Sequence, residues 1–381
     1  MDAGTCFEVR GLRRGTFSRL AACLTTVIVT GALLLPVVVR ASVPASSCTA
    51  TAASMTPTGW AAPRLPSRAS ASLPLKSPLI AIADVPLPGA ARRFDYVSID
   101  SVARRLYISH MYGARLVVFD LQKETLVTSI EGFPGATGVI AVPALRRIFV
   151  SVTGRKAVDV VDDQTFRTVA KISGARFPDG LAYVPELQRI FVSDESGEKE
   201  LVIDAVRAES IGTVTLAGEA GNSHYDAVSR CVLVAVQSRD ELVAIDPSTM
   251  KIVRHFHMPC KAPHGFLIDA PRRVAFVTCE EDARLLVVDL RTMQVSPPIT
   301  VGPGPDVLAF DAGLGRLYVA SEGGVVTVLA YEGGKLARLG DYRTPHAHSV
   351  AVDPHSHHVY LPLEDVSGRP VLRILRAADQ H

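Results

Sequence analysis

Apolar residues in this chain gather in short runs of four to six rather than at helical spacing. Arg105-Leu106-Tyr107-Ile108-Ser109, Arg147-Ile148-Phe149-Val150-Ser151 and Arg189-Ile190-Phe191-Val192-Ser193 follow one another at steps of 42 residues. Arg316-Leu317-Tyr318-Val319-Ala320 and His358-Val359-Tyr360-Leu361 are later copies, and Cys231-Val232-Leu233-Val234 and Val274-Ala275-Phe276-Val277 are weaker ones, making seven. Before each copy another apolar run ends near Asp100, Val142, Val184, Asp226, Asp269, Asp311 or Asp353, at steps of 42, 42, 42, 43, 42 and 42. A third run ends on Asp120, Asp162, Asp204, Asp246 or Asp289, and a fourth follows, such as Leu126–Ile130 or Thr168–Ile172. These runs are rich in β-branched residues and are separated by Gly, Pro, Asp and Ser, so each repeat predicts four antiparallel strands. The Asp at the end of the third run fits a turn role, since its carboxylate accepts hydrogen bonds from the turn's own amides.

A four-stranded meander repeated seven times at this period predicts an all-β chain folded as a seven-bladed β-propeller of four-stranded antiparallel blades. The seventh repeat has no fourth run after Val371–Leu375, whereas Leu79–Val85 is a strand with no blade of its own. We therefore expect residues 79–85 to supply the outer strand of the last blade, closing the ring and removing two free edges.

The Tyr/Phe-Val-Ser runs, the strand ending in Asp and the 42-residue step resemble the YVTN-repeat, or YncE-like, family of seven-bladed propellers over roughly 300 residues, from about Leu79 to about Leu375. The Thr-Asn of the family name is here Ser109-His110, Ser151-Val152 and Ser193-Asp194. Trp60, the single tryptophan, lies outside the repeats, which separates the chain from Trp-Asp and Trp-rich propellers. The resemblance implies the fold. It leaves function open among binding modules, domains of redox proteins and relatives of lactonase propellers.

The N-terminus breaks the pattern. Arg10, Arg13, Arg14 and Arg19 precede an apolar run from Leu20 to Val39, the order of a secretory signal and also the length of a single membrane anchor. We read residues 1–40 as signal peptide or signal anchor, 41–77 as an Ala/Ser/Pro-rich disordered tether, and 78–381 as the propeller. The expected location is periplasmic or extracellular, with membrane attachment only through an uncleaved N-terminal segment. Of six cysteines, Cys6, Cys23 and Cys48 fall in leader and tether. Cys260 and Cys279 fall near one face of the fifth blade, where a disulfide and a pair of reduced thiols both fit. Cys231 is left over.

In a propeller, the entry to each inner strand and the exit of each second strand open on one face around the axis. Register places Asp95, Thr137, Asp179, Gly221, His264, Asp306 and His348 at the entries, and Met111, Thr153, Glu195, Gln237, Glu280, Glu322 and Glu364 at the exits. His110, Asn222, His224 and His346 neighbour this rim. Polar loop residues commonly satisfy backbone, so each has a bland reading. The pairs His264 with Glu280, Asp306 with Glu322 and His348 with Glu364 are less ordinary. Imidazole beside carboxylate suits a divalent metal ion or acid–base work, and His264, Glu280, His348 and Glu364 form a candidate metal set. His255, His257, Cys260 and His264 are a second metal candidate, at odds with standard zinc spacing. His355, His357 and His358 read as solvent-facing turn residues.

A formal net charge of +2, with scattered basic residues, gives no support for nucleic-acid binding. No phosphate loop, nucleophile elbow or His-Glu-x-x-His is present. The leading expectation is an exported module binding a small polar ligand or protein partner through the axial top face. The alternative is a metal-dependent hydrolase or lyase of the lactonase-like propeller type. A third, an electron-transfer accessory, lacks any encoded haem or quinone site.

Overall fold

The computed structural model describes Cys48 and residues 77–379. The leader, most of the tether and the last two residues therefore lie outside the described residues. Those described form seven antiparallel sheets with almost no helix, a seven-bladed β-propeller. Blade 3 shows the pattern: Pro178–Val184, Arg189–Asp194, Lys199–Asp204 and Glu209–Thr215, each paired with the next. Leu79–Pro86 pairs antiparallel with Arg369–Ala377 and is the outer strand of blade 7, the closure expected from the repeat count. Asp84 takes both guanidinium arms of Arg373 at this seam, at 2.7 and 2.6 Å.

The repeated motif explains itself once folded. Its aromatic residue (Tyr107, Phe149, Phe191, Phe276, Tyr318 or Tyr360) is fully buried between blades, where each ring gains roughly 1.5–3 kcal/mol from leaving water. Its leading Arg is a latch to the next blade. Arg105 donates to the Asp163 carbonyl at 2.6 Å, Arg147 to that of Val206 at 2.7 Å, and Arg189 to that of Pro247 at 2.6 Å. Arg316 instead donates to the side-chain carboxylate of Asp379. In blade 7 the latch is His358, whose Nδ1 lies 2.7 Å from Glu124. In blade 4 the position is Cys231, disulfide-bonded to Cys48 of the expected tether.

The lower turns are equally regular. Asp120, Asp162, Asp204, Asp246 and Asp289 accept hydrogen bonds from their own turn amides. Between inner and second strands, Arg104, Arg146, Gln188, Arg230, Arg273, Gly315 and His357 all hold left-handed backbone, with φ between +51° and +60°. Three of them reach back to the preceding blade: Arg104 to Asp353, Arg273 to Asp226, and His357 to Asp311. The expectation that His357 and His358 simply face solvent is therefore corrected, because both close blade seams through carboxylates. His355 is exposed as expected.

Candidate functional site at the upper axis

Five inner strands carry a register shift at their upper end, between Ala136 and Val139, Pro178 and Leu181, Ala220 and Ser223, Pro263 and Phe266, and Pro305 and Leu308. The shift spans Thr137, Asp179, Gly221, His264 and Asp306. A bulge re-aims the side chain it contains, and here it turns one residue per blade toward the axis. Close approach at the axis also needs glycine. A Cβ on Gly265 would sit 1.6 Å from the Asp306 carbonyl oxygen, and one on Gly138 would sit 1.9 Å from that of Asp179.

Blades 5, 6, 7 and 1 supply the centre of the cup. Asp306 lies between two imidazoles, with Oδ1 3.4 Å from His264 Nε2 and Oδ2 3.2 Å from His348 Nε2. His348 Nε2 is also 3.3 Å from Asp95, and its Nδ1 is 3.5 Å from Glu322. His264 donates through Nδ1 to Gln237 Oε1 at 2.8 Å, and Gln237 donates onward to Glu195 at 3.3 Å. Two residues flanking Asp95 complete the arrangement. Tyr96 crosses the axis, its hydroxyl donating to Asp306 at 3.3 Å and resting 3.2 Å from His264. Arg93 places one guanidinium nitrogen 2.7 Å from Glu322 and another 3.1 Å from His348.

Six carboxyl groups thus share this region (Asp95, Asp179, Glu195, Glu280, Asp306 and Glu322), and among the described residues Arg93 is the permanently charged cation in contact with them. The titration behaviour follows. Burial would strip the proton from His264, but Asp306, then Asp179 and Glu280, outweigh it and push its pKa up to about 10. His348 is held above the usual imidazole range, burial again being outweighed by Asp306 and Asp95. Asp306 is pulled well below the carboxylate range, since His348 and His264 overcome its burial. Asp179 moves far the other way, through burial and then the Asp95 charge. Glu195 and Glu280 are raised chiefly by burial.

Several expected neighbours go elsewhere. Of the expected same-blade pairs, Asp306 with Glu322 converges within 4.8 Å, whereas His264 and His348 make their close contacts to Asp306 and Asp95 of other blades rather than to Glu280 and Glu364. Glu364 instead binds His346 at 2.6 Å. The set His264, Glu280, His348 and Glu364 is not the one whose donor atoms come together. Among the described residues, donor atoms within 4.8 Å of one another come from Asp306, Glu322 and His348. His110 is buried away from the cup, stacked 4.0 Å from Phe94 and bonded to the Arg92 carbonyl. His224 packs edge-on against Phe266 at 4.8 Å, and burial lowers its pKa to about 4. It lines a separate chamber of about 550 Å³ with uncharged walls, to which Tyr96 and Asn222 also contribute. The cluster of His255, His257, Cys260 and His264 does not assemble: His255 meets Glu241, and Cys260 is disulfide-bonded to Cys279.

Sequence reasoning passed over Arg93 and Tyr96. The register marks one residue per blade, and these two flank it in the loop from the closing strand. The two disulfides fit an oxidising, exported location. No helix among the described residues is long and apolar enough to cross a membrane.

No family model and no curated protein matches the chain. Among solved structures it is similar to Kuenenia stuttgartiensis hydrazine synthase, at 14% identity and a TM-score of 0.65, covering 77% of this chain and 97% of that one. At that identity the likeness carries the propeller fold alone.

Proposed function

We propose that this chain is an exported YVTN-type, YncE-like propeller that acts as a binding module, taking a small cation or cationic ligand in its upper axial cup. The observation that carries this reading is the charge count: six carboxyl groups converge on three cationic groups, the Arg93 guanidinium and the imidazoles of His264 and His348, so that carboxyl groups outnumber cations two to one. Low-dielectric surroundings disfavour ionising them together, and an incoming cation relieves that penalty. The test is titration calorimetry with Mn²⁺, Ca²⁺ and 1,4-diaminobutane, comparing the native chain with Asp306→Asn and His348→Ala. At least one cation should bind the native chain and bind either variant more than tenfold more weakly. Absence of binding by all three at millimolar concentration would remove the reading.

One observation favours a second reading, a metal-dependent hydrolase or lyase. Asp306, Glu322 and His348 offer one imidazole and two carboxylates within 4.8 Å, a donor set that fits a divalent ion. A bound ion there supplies Lewis acidity toward a carbonyl oxygen. His264, 3.4 Å from Asp306 and hydrogen-bonded through Gln237 to Glu195, would then be a group able to hold or release a proton beside it. Turnover of lactones or esters by the Mn²⁺-loaded chain, abolished in Asp306→Asn, separates this reading from simple binding.

A further inference from the structure

We propose that Arg93 is a resident counter-cation, which holds the three-donor set while no ligand is present and leaves it when a cation binds. The proposal rests on the cation-binding reading above. Its guanidinium lies on two of the three members of the set, 2.7 Å from Glu322 and 3.1 Å from His348. A metal ion bonded to the same Glu322 and His348 atoms cannot share them with a guanidinium at those distances, so the two positive charges exclude each other.

Arg93 also has somewhere to go. Its side chain is 36% exposed. Beside it lies a pocket of about 420 Å³, lined by Arg93 itself together with Tyr112, Glu322, His346 and Glu364. Glu364, whose Oε1 is held by His346, keeps its second carboxylate oxygen there, and Tyr112 is 59% exposed, so a displaced guanidinium meets an acceptor and an aromatic face. The loop that carries Arg93 need not move. Phe94, the next residue, is fixed by stacking on His110, and the Arg92 carbonyl accepts from His110 Nε2 at 3.2 Å. The exchange is therefore a side-chain rotation about an anchored backbone, and Arg93 lowers the site's affinity for any cation unable to displace it.

The experiment is calorimetric titration of the full chain with Mn²⁺, comparing wild type with Arg93→Met and Arg93→Gln, each checked for native melting. Both variants should bind Mn²⁺ at least tenfold more tightly than wild type, because no guanidinium has to leave. Equal or weaker binding by the folded variants would overturn the proposal while leaving the cation site standing. Absence of Mn²⁺ binding in wild type and variants alike would overturn this proposal, and absence of Ca²⁺ and 1,4-diaminobutane binding as well would remove the cation reading with it.

Discussion

Replacing Asp306 by Asn tests whether the axial charges are coupled as the geometry requires. His264 Nε2 lies 3.4 Å from Asp306 Oδ1. At an effective dielectric constant of about 20, unit charges at that separation attract by about 5 kcal/mol, or about 3.6 pKa units. His264, now at about 10, should therefore titrate at about 6 in the variant. The stability consequence has a definite sign. A histidine whose pKa rises on folding stabilises the folded state fully below its unfolded value, here 6.5, and loses that contribution as pH rises through 10. The gap in unfolding free energy between wild type and Asp306→Asn should thus be widest at and below about pH 6.5 and close toward about pH 10. The assay is NMR titration of ¹⁵N-labelled imidazoles, with urea unfolding at both ends of that range. A variant whose His264 still titrates above about 9, or a stability gap that ignores pH, would refute the coupling.

Three other outcomes follow from the same structure. Glu200 is fully buried, accepts from the Ser193 and Ser223 hydroxyls, and burial lifts its pKa from 4.5 to about 8. The folded state should therefore lose stability as pH climbs between those values, by up to about 1.4 kcal/mol per pH unit, and Glu200→Gln should flatten that slope in urea titrations; parallel curves would count against it. Deleting residues 79–85 strips the outer strand of blade 7 and should lower the melting temperature by at least about 10 °C, whereas an unchanged melt would mean that the seam does not hold the ring. Cys231→Ser removes the Cys48 link and should cost about 2–4 kcal/mol in chemical unfolding, with no change in axial cation binding.

Periodicity made the fold legible. A 42-residue step with four β-rich runs admits few architectures, and the missing fourth run of the last repeat pointed to Leu79–Val85 as the closing strand. The same register identified Asp95, Asp179, His264, Asp306 and His348 as axial residues, since repeated backbone geometry puts equivalent positions in one ring. What it could not supply was distance between blades. His264 meets Asp306 rather than Glu280 because contacts at an axis run around the ring, and a linear register carries only position within a blade. Arg93 and Tyr96 belong to a loop outside the repeat pattern, and their reach across the axis follows from side-chain length. Cys48 carried no signal of its partner, because a disulfide spanning 183 residues is fixed by the folded surface. Departures from the repeat did hold information: Cys231 and His358 stand where four blades have Arg, His358 as a substitute latch to the next blade and Cys231 as the anchor of Cys48.

The central claim is that the upper axial cup is a cation site. Elemental analysis of the untagged full chain, equilibrated with Mn²⁺ and gel-filtered, measures it most directly, with the double variant Asp306→Asn, His348→Ala beside it. The account predicts close to one ion per chain in the wild type and none in the variant, with both proteins folded. Equal metal content in the two, or none in either, would contradict it.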